Sequence, residues 1–249
     1  MIAIILAGGY GTRLRPLTGG IAKPLLPVEG KPIIDYIVER LLNLQGIDQI
    51  VVSTNERFEG QFSEWLSRRR HRKVKVVAEP SHGEDDKLGA VRALSRLVEG
   101  LNSRDYLVVA GDNLFTSGLK DMVEYYRSKG SPVVALFDVG DLEVVKRYGC
   151  VEVEADGRIT GFVEKPERPK STLAATCIYA LPEGSLKRVR EYLEEGNDPD
   201  APGYFVQWLC RRERVYGYVL QGYWSDIGTP ESYEDAKRLW RGFLRAAKT

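Results

Sequence analysis

The first half of the chain alternates short apolar runs with amphipathic stretches. Apolar runs rich in β-branched residues predict buried strands, and apolar residues spaced three and four apart predict helices with one buried face. The predicted strands cover residues 2–6, 49–53, 73–78 and 106–110. The predicted helices between them cover residues 32–46, 58–70 and 87–98. Strands that alternate with helices are typical of a parallel, right-handed, doubly wound α/β sheet.

The second half of the chain has a different pattern, with more strands and fewer helices between them. The predicted strands cover residues 132–139, 151–154, 158–163, 173–180 and 215–220, and the second and third of these form a hairpin around Asp156-Gly157. The predicted helices cover residues 183–195, 204–212 and 231–245. We expect this half to be more antiparallel and to form the second wall of a cleft. The whole chain, residues 1–249, is expected to be a single domain.

Glycines and cations follow the first predicted strand, in the sequence LAGGYGTRLRPLTGGIAKPLLP at residues 6–27. The glycines are Gly8, Gly9 and Gly11, and the cations are Arg13, Arg15 and Lys23. Glycine lets the backbone approach a ligand closely and lets successive N–H groups turn onto an anion. The spacing matches neither a Walker A loop nor a Rossmann loop. The loop is therefore interpreted as an anion-binding loop, with a tight turn bearing solvated charges as the alternative.

Composition and charge exclude several classes of partner. The 249 residues contain 36 lysines and arginines against 35 aspartates and glutamates, a formal net charge of +1, so no nucleic-acid or membrane partner is expected. Met1 is followed directly by a core-strand pattern without a signal peptide, which predicts a cytoplasmic protein. Cys150, Cys177 and Cys210 are widely spaced and odd in number, as expected of small core residues rather than disulfides or metal ligands.

Two aspartates stand out as candidates for chemistry. Asp112, in Gly111-Asp112-Asn113, follows the predicted strand 106–110, and ligands of open α/β sheets gather at the carboxyl ends of strands. Taken alone, this tripeptide could equally be an ordinary turn. Asp226 lies 114 positions later in the sequence WSDIGTP at residues 224–230.

The order of these motifs resembles that of the sugar-phosphate nucleotidyltransferases, also called NDP-sugar pyrophosphorylases. The matching segments are LAGGYGTRL, KPLLP, GDN, YG at residues 148–149, EKP at residues 164–166 and WSDIGT. The resemblance covers essentially the whole chain and is greatest to glucose-1-phosphate thymidylyltransferases and uridylyltransferases. There is no hexapeptide β-helix repeat of the kind that some larger relatives carry.

The resemblance implies a fold and a division of the chain. The fold is an α/β doubly wound, Rossmann-like mixed sheet of the nucleotide-diphospho-sugar transferase type, with a smaller antiparallel sugar-binding part. Residues 1–112 would form the nucleotide-binding half, residues 113–230 the sugar-phosphate-binding half, and residues 231–249 a C-terminal helix. The implied substrates are a nucleoside triphosphate and a sugar 1-phosphate, and the sequence leaves a homo-oligomer open.

The resemblance also implies roles for individual residues. Asp112 and Asp226 would hold one Mg²⁺, a hard ion suited to carboxylate and phosphate oxygens. Arg13 would hold the β- and γ-phosphates, and Lys23 would stabilise charge at the α-phosphate. The implied nucleotide-binding residues are Leu6, Ala7, Gly8, Gly9, Gly11, Thr12, Arg13, Lys23, Glu79 and Gly89. The implied sugar-phosphate-binding residues are Asn113, Gly149, Glu164, Lys165 and Thr176.

Several positions depart from the family pattern. Glu79 stands where many thymidylyltransferases have glutamine, Pro24 replaces another glutamine, and Cys177 replaces a frequent glycine. The acidic sugar-site motif GELEITD is replaced by PGYFVQW at residues 202–208. An ionised Glu79 can only accept hydrogen bonds, from N3–H of thymine or uracil or from N1–H and N2–H of guanine. CTP is expected to be poor, because its N3 acceptor would face that carboxylate.

The expected reaction joins a nucleoside triphosphate, with dTTP or UTP favoured, to a sugar 1-phosphate, with glucose 1-phosphate favoured. It yields an NDP-sugar and pyrophosphate by Mg²⁺-assisted in-line displacement. The alternatives are a guanylyltransferase acting on mannose 1-phosphate, a cytidylyltransferase acting on a non-sugar phosphate, and a non-catalytic homologue that senses nucleotide sugars.

Overall fold

The structure is a computed structural model that describes residues 1–14, 19–69 and 71–246. Arg15 of the predicted anion loop lies outside the described residues, as do the last residue of the predicted helix 58–70 and the end of the segment 231–249. None of the helices in these ranges is long and apolar enough to cross a membrane.

Strands and helices alternate up to residue 130. The strands are β1 (Ile2–Leu6), β2 (Pro27–Val28), β3 (Lys31–Pro32), β4 (Gln49–Asn55), β5 (Val74–Glu79), β6 (Asp105–Ala110) and β7 (Asn113–Phe115). The helices are α1 (Ile33–Leu42), α2 (Glu56–Arg69), α3 (Ala90–Gly100) and α4 (Lys120–Lys129). The sequence predicted most of these elements to within a few residues. It missed α4, because only Met122, Val123 and Tyr126 of that helix are buried and its apolar stripe is correspondingly short.

The rest of the chain is richer in strands. The strands are β8 (Val133–Asp138), β9 (Gly149–Val153), β10 (Ile159–Glu164), β11 (Leu173–Pro182), β12 (Tyr216–Val219) and β13 (Trp224–Asp226). The helices are α5 (Leu142–Val145), α6 (Glu183–Lys187), α7 (Val189–Glu194), α8 (Pro202–Cys210) and α9 (Pro230–Ala246). The predicted helix 183–195 is therefore two short helices that meet at Arg188.

Besides two short two-stranded ladders, the described residues form one mixed sheet of nine strands. Its parallel side has the order β6-β1-β4-β5, with Ile4 paired to Val51 and to Val108. On the other side of β6, strand β11 runs antiparallel and continues the sheet to β9 and β10, while β8 and β12 branch from β11. The predicted doubly wound sheet and hairpin are confirmed, and the antiparallel part extends the same sheet.

Strand β1 shows why its sequence is a continuous apolar run. Ala3 and Ile5 belong to a core on one face of the sheet, and Ile2 and Ile4 belong to a second core on the other face. Helices α1, α2 and α9 cover the first face, and α3, α7 and α8 cover the second. A strand buried on both faces needs apolar side chains at every position, because successive side chains point to opposite faces. Each full burial contributes about 1.5–3 kcal/mol.

A short two-stranded ladder joins residues far apart in sequence. Strands β7 and β13 pair antiparallel, with Asn113 opposite Asp226, and the N–H of Ile227 donates to the carbonyl of Asp112 at 3.0 Å. Segments of three residues are too short to show a period in the sequence. This ladder was not predicted, and it sets Asp112 and Asp226 side by side.

Strand β11 contains a bulge at the point where it passes the end of β6. The pairing of β11 with β8 shifts register between Ala175 and Tyr179, and Cys177 adopts φ +56°, in the left-handed region. A residue with a Cβ is strained there, which accords with the glycine that many relatives are expected to carry at this position.

This strain predicts an unusual order of stability for variants of Cys177. Both Cys177→Ala and Cys177→Gly remove the sulfur, but only glycine relieves the left-handed strain, so the glycine variant should be more stable by about 1 kcal/mol or more. Denaturant unfolding monitored by circular dichroism measures the difference. The matched control is Cys150 in β9, where glycine should instead be less stable than alanine by roughly 0.5–1 kcal/mol. The same order at both positions would contradict the assignment of strain.

Candidate active site

A cleft of about 370 Å³ opens at the carboxyl ends of the parallel strands, between the two halves of the chain. Twelve of the predicted site residues line it, namely Leu6, Gly8, Gly9, Glu79, Gly89, Asp112, Asn113, Gly149, Glu164, Lys165, Thr176 and Asp226. Five others lie outside its lining, namely Ala7, Gly11, Thr12, Arg13 and Lys23. The cleft thus brings together most of the residues that the sequence motifs assigned to nucleotide binding and to sugar-phosphate binding.

The glycine loop reaches the cleft through Gly8 and Gly9. The N–H of Ala7 donates to the carbonyl of Ser53 at 2.7 Å, so this amide is engaged in the sheet and is not directed at a ligand. The carbonyl of Gly8 accepts from the side-chain amide of Asn55 at 2.8 Å, which fixes the start of the loop on β4. Further along, Thr12–Leu14 form a 3₁₀ turn with Leu14 buried and its first two residues exposed. Arg13 is therefore on a solvent-facing arm of the loop.

Gly111 forms the corner that brings β6 to the glycine loop. Its N–H donates to the carbonyl of Leu6 at 2.8 Å, and a Cβ on it would lie 2.9 Å from that same oxygen and 3.1 Å from Cγ of Pro24. A side chain at this position would force the two segments apart. The glycine of the GDN motif therefore has a packing role, which places Asp112 beside Lys23.

Two carboxylates and one ammonium group meet at this corner. Lys23 forms a salt bridge with Asp112, and both side chains are largely buried. Burial and the neighbouring charge of Asp112 raise the pKa of Asp226 to about 7, although Lys23 and Arg13 act in the opposite direction. For Lys23, burial lowers the pKa, but the charges of Asp112 and Asp226 outweigh it and the net shift is upward. The pair of carboxylates thus holds more negative charge than Lys23 alone offsets.

The chemistry of this donor set fits the predicted Mg²⁺. In the described ranges no cluster of three or more histidine, cysteine, aspartate or glutamate side chains could hold a metal ion. Magnesium is commonly held by one or two carboxylates and completes its shell with substrate phosphates and water. Two partly buried carboxylates that repel one another are stabilised by a divalent cation. Asp112 and Asp226 are the residues that would hold it.

Glu79 ends strand β5 at the opposite end of the cleft from the hairpin. One carboxylate oxygen, Oε1, lies 3.3 Å from the position that a Cβ on Gly8 would take, and the other, Oε2, is buried without a hydrogen-bond partner among the described residues. Burial raises the pKa of Glu79 to about 7, with Arg96 acting in the opposite direction. The neutral and ionised forms of Glu79 therefore coexist near neutral pH, whereas the expectation that CTP is poor rests on the ionised form alone.

An ion-pair link that the sequence did not predict crosses this end of the cleft. Lys87 contacts Glu84 at 2.5 Å and Asp200 at 2.9 Å, joining the loop before α3 to the loop before α8. The N–H groups of Ala90 and Val91 donate to the carbonyls of Asp200 and Pro199, at 3.2 and 2.8 Å. Both amides are therefore already hydrogen-bonded within the protein. Lys87 and Asp200 are 113 positions apart, and no local pattern marks them as partners.

Gly89 makes this junction possible. It adopts φ +84°, and a Cβ on it would overlap the carbonyl oxygen of Pro199. The family-like loop glycine at this position thus allows two backbones to pack directly against each other.

The carboxylate of Glu164 lies in a setting of glycine backbone at the end of the cleft next to the β9–β10 hairpin. A Cβ on Gly203 would overlap this carboxylate, and one on Gly149 would lie 3.0 Å from its Oε2. The N–H of Glu164 donates to the side chain of Gln207 at 2.7 Å. Burial raises the pKa of Glu164, with the adjacent Lys165 acting in the opposite direction. Gly203 and Gln207 belong to the PGYFVQW segment, so the departure from the family motif forms one wall of this site.

Asn113 and Thr176 line the cleft but are also fixed by the protein. The Asn113 amide donates to the carbonyl of Thr176, and the Thr176 hydroxyl donates to the carbonyl of Ala135 at 2.9 Å. Both side chains are buried. Asn113 thus holds the β11 bulge against β7, and Thr176 holds it against β8, in addition to any contact with a ligand.

The exposed side chain of Lys165 borders the cleft beside the β9–β10 hairpin. Its backbone has φ +48°, and its N–H donates to the carbonyl of Tyr148 at 3.0 Å. The ring of Tyr148 packs edge-on against Trp224 at 5.0 Å, forming an aromatic wall beside Asp226. Sequence reasoning gave no role to several cleft residues, namely Ser53, Glu84, Lys87, Arg147, Tyr148, Cys177, Tyr179, Asp200 and Trp224. Tyr148 and Trp224 could have been found from the YG and WSDIGTP motifs, and Cys177 from its departure from the family glycine, whereas the others carry no local signal.

Curated relatives match nearly the whole chain. A glucose-1-phosphate adenylyltransferase of Thermotoga neapolitana is 33% identical over 256 residues, covering 95% of this chain and 59% of that protein. A Thermotoga maritima protein of the same name is 32% identical over 254 residues, covering 94% of this chain and 59% of that protein. The chain thus spans 59% of the length of these relatives.

Solved structures share the fold. A Bacillus anthracis protein described as a glucose-1-phosphate thymidylyltransferase, in complex with sucrose, has a TM-score of 0.82 and 27% identity, covering 96% of this chain and 95% of that one. A UDP-glucose pyrophosphorylase complexed with UDP-glucose has a TM-score of 0.80 and 25% identity, covering 97% and 98%. The family model described as nucleotidyl transferase matches residues 2–241. The chain therefore belongs to the nucleotidyl transferase family, together with NDP-sugar pyrophosphorylases such as these.

Proposed function

We propose that the protein transfers a nucleotidyl group from a nucleoside triphosphate to a sugar 1-phosphate and releases pyrophosphate. The observation that carries this proposal is the meeting of Asp112, Asp226 and Lys23 at one corner, where both carboxylates line the cleft between the glycine loop and Glu164 and Lys23 pairs with Asp112 outside the lining. The first three groups suit a triphosphate and its metal, and a buried carboxyl in a glycine-lined site suits a hydroxyl-rich acceptor.

The reaction needs no covalent protein intermediate. An oxygen of the sugar phosphate attacks the α-phosphorus, a new P–O bond forms, and the bond to the bridging β-oxygen breaks with its electron pair leaving on pyrophosphate. The attacking phosphate is ionised near neutral pH, so the protein mainly positions the reactants and offsets charge. Burial raises the pKa of the Cys177 thiol to about 12, which makes this cleft cysteine a poor nucleophile.

The side chains divide this work. Lys23, held beside Asp112, would face charge that develops at the α-phosphate, and Arg13 on the exposed arm of the loop would hold the β- and γ-phosphates. Mg²⁺ held by Asp112 and Asp226 would supply charge neutralisation to the phosphate oxygens. Glu164 would accept hydrogen bonds from sugar hydroxyls, and Lys165 would bind the sugar phosphate.

Glucose 1-phosphate is the proposed acceptor, because the relatives and structural neighbours are named for glucose. Their bases differ, since one is named for the adenylyl group, one for the thymidylyl group and one for UDP. dTTP and UTP are the donors that the sequence resemblance favours. ATP is the second candidate, because the 33% identical relative is an adenylyltransferase.

Pyrophosphate release tests the proposal directly. The protein is incubated with Mg²⁺, each of the triphosphates ATP, GTP, CTP, UTP and dTTP, and either glucose 1-phosphate or mannose 1-phosphate. We expect release that depends on both substrates, with the NDP-sugar identified by mass spectrometry. Binding of the substrates without release from any pair would overturn the proposal and favour a sensing homologue.

The carboxylate pair gives the first prediction about activity. Asp112→Asn and Asp226→Asn each remove one proposed metal ligand, so kcat/KM should fall on the order of 10²-fold or more, with the protein still folded by circular dichroism. Asp121→Asn, which changes an exposed aspartate on α4, is the matched control and should keep full activity. Wild-type turnover in excess EDTA would refute the metal assignment.

Lys165 gives the second prediction about activity. Lys165→Ala should raise the KM for the sugar 1-phosphate or lower kcat, while the affinity for the triphosphate stays nearly unchanged, because Lys165 lies beside the β9–β10 hairpin, the part of the cleft proposed to bind the sugar phosphate. Steady-state kinetics with each substrate varied in turn separates these effects. Lys170→Ala removes an equal charge from an exposed position outside the cleft lining and should behave as wild type. An equal loss of affinity for both substrates would contradict the assignment of Lys165 to the sugar phosphate.

A further inference from the structure

Glu79 combines two features that rarely occur together in a carboxyl group. It borders the cleft, and its Oε2 is buried without a hydrogen-bond partner in the described part of the chain. Leaving a buried acceptor unpaired is unfavourable, because the group loses its hydrogen bonds to water and gains none in the protein. Such an atom is satisfied when a bound ligand supplies the partner.

The neighbouring polar groups are engaged elsewhere. The Asn55 amide on β4 binds the Gly8 carbonyl and accepts from Phe58 N–H, and Tyr10 shares a hydrogen bond of 2.6 Å with Ser81. Among the nearby charged groups, Arg96 on α3 is exposed, and Asp86 accepts from backbone N–H groups of its own loop. Arg57 on α2 acts to lower the pKa of Tyr10, and Glu84 pairs with Lys87. Glu79 has no salt bridge within the described ranges, so its charge is set mainly by burial.

Resting on the proposed function, we propose that Glu79 reads the base and that its protonation state selects which bases the cleft accepts. A neutral carboxyl group presents one donor beside one acceptor. An ionised carboxylate presents two acceptors. The two forms therefore match different base edges.

Complementarity divides the bases into two groups. Adenine offers N6–H beside the N1 acceptor, cytosine offers N4–H beside N3, and uracil and thymine offer N3–H beside a carbonyl, so each can make two bonds with the neutral form. Guanine can make two bonds with either form, through N1–H and O6 with the neutral form and through N1–H and N2–H with the ionised form. ATP should thus lose its match as pH rises, whereas GTP keeps one at every pH. Burial raises the pKa of Glu79 to about 7, which puts this change within an accessible range.

Competition between ATP and GTP tests the proposal. Both triphosphates and glucose 1-phosphate are mixed in one reaction with Mg²⁺ at pH 6 and at pH 8.5, and the two NDP-sugars are quantified. Titration of any group that affects the rate with ATP and the rate with GTP equally cancels from the product ratio. We expect the ratio of ATP product to GTP product to fall roughly tenfold or more between the two pH values. The same ratio is measured for equilibrium binding of ATP and GTP, which requires no turnover.

Glu79→Gln separates protonation from shape. Its amide presents a donor beside an acceptor at every pH, so the variant should keep the low-pH ratio at both pH values. Glu99→Gln, at an exposed position of α3, is the matched control and should reproduce the wild-type change. A wild-type ratio that does not change with pH, in turnover and in binding, would overturn the inference and leave the proposed function intact. No pyrophosphate release with any donor would overturn the proposed function, and the binding ratios would still decide the role of Glu79.

The same group makes a prediction about stability. Because its pKa in the folded protein, about 7, lies above the ordinary value of 4.5, the folded state holds a proton that the unfolded chain releases. The stabilisation from this carboxyl is fully present below pH 4.5 and is lost as pH rises through 7. Glu79→Gln has no such loss, so without ligands its melting temperature should exceed that of the wild type at pH 8.5, by a margin that shrinks at pH 4.5. Differential scanning calorimetry measures both, and an equal margin at both pH values would show that Glu79 is not the group that titrates.

Discussion

The candidate active site depends on holding the carboxylates of Asp112 and Asp226 close together where both are partly buried. Like charges that are buried at short range are unfavourable, and the structure imposes this arrangement through backbone hydrogen bonds rather than through the side chains themselves. The β7–β13 ladder fixes Asp226 opposite Asn113, and the corner at Gly111 fixes Asp112. Lys23 offsets part of the repulsion from a separate segment of the chain. Three segments therefore meet at one point, and each is held by backbone contacts that do not depend on the charge of the site.

Much of the fold could be predicted because its rules are local or periodic. Apolar runs such as residues 2–6 predict strands buried on both faces, and the alternation with helices predicts a parallel sheet. What the pattern did not show is how the antiparallel strands attach. Nothing in the sequence of β11 indicates that it pairs with β9 before the bulge at Cys177 and with β6 after it, since the bulge shows only in the structure, as a register shift and a positive φ.

The candidate site was predictable to the extent that it consists of contiguous motifs. Asp112, Asp226, Glu164 and Lys165 were found because each belongs to a short family-like string. The link between Lys87 and Asp200 was not found, because an ion pair across 113 positions leaves no trace in either local sequence. The raised pKa of Glu79 was also not foreseen, since burial depends on what packs around a residue and is not a property of its neighbours in sequence.

The β7–β13 ladder also bears on the order in which the protein takes shape. Strands β1, β4, β5 and β6 and the helices between them lie within the first 110 residues, so their contacts close over short stretches of chain. Asp226 reaches Asp112 only by closing a loop of 114 residues, and during synthesis it leaves the ribosome long after the parallel strands have done so. The repulsion between the two carboxylates therefore arises only after the C-terminal part of the chain has been synthesised.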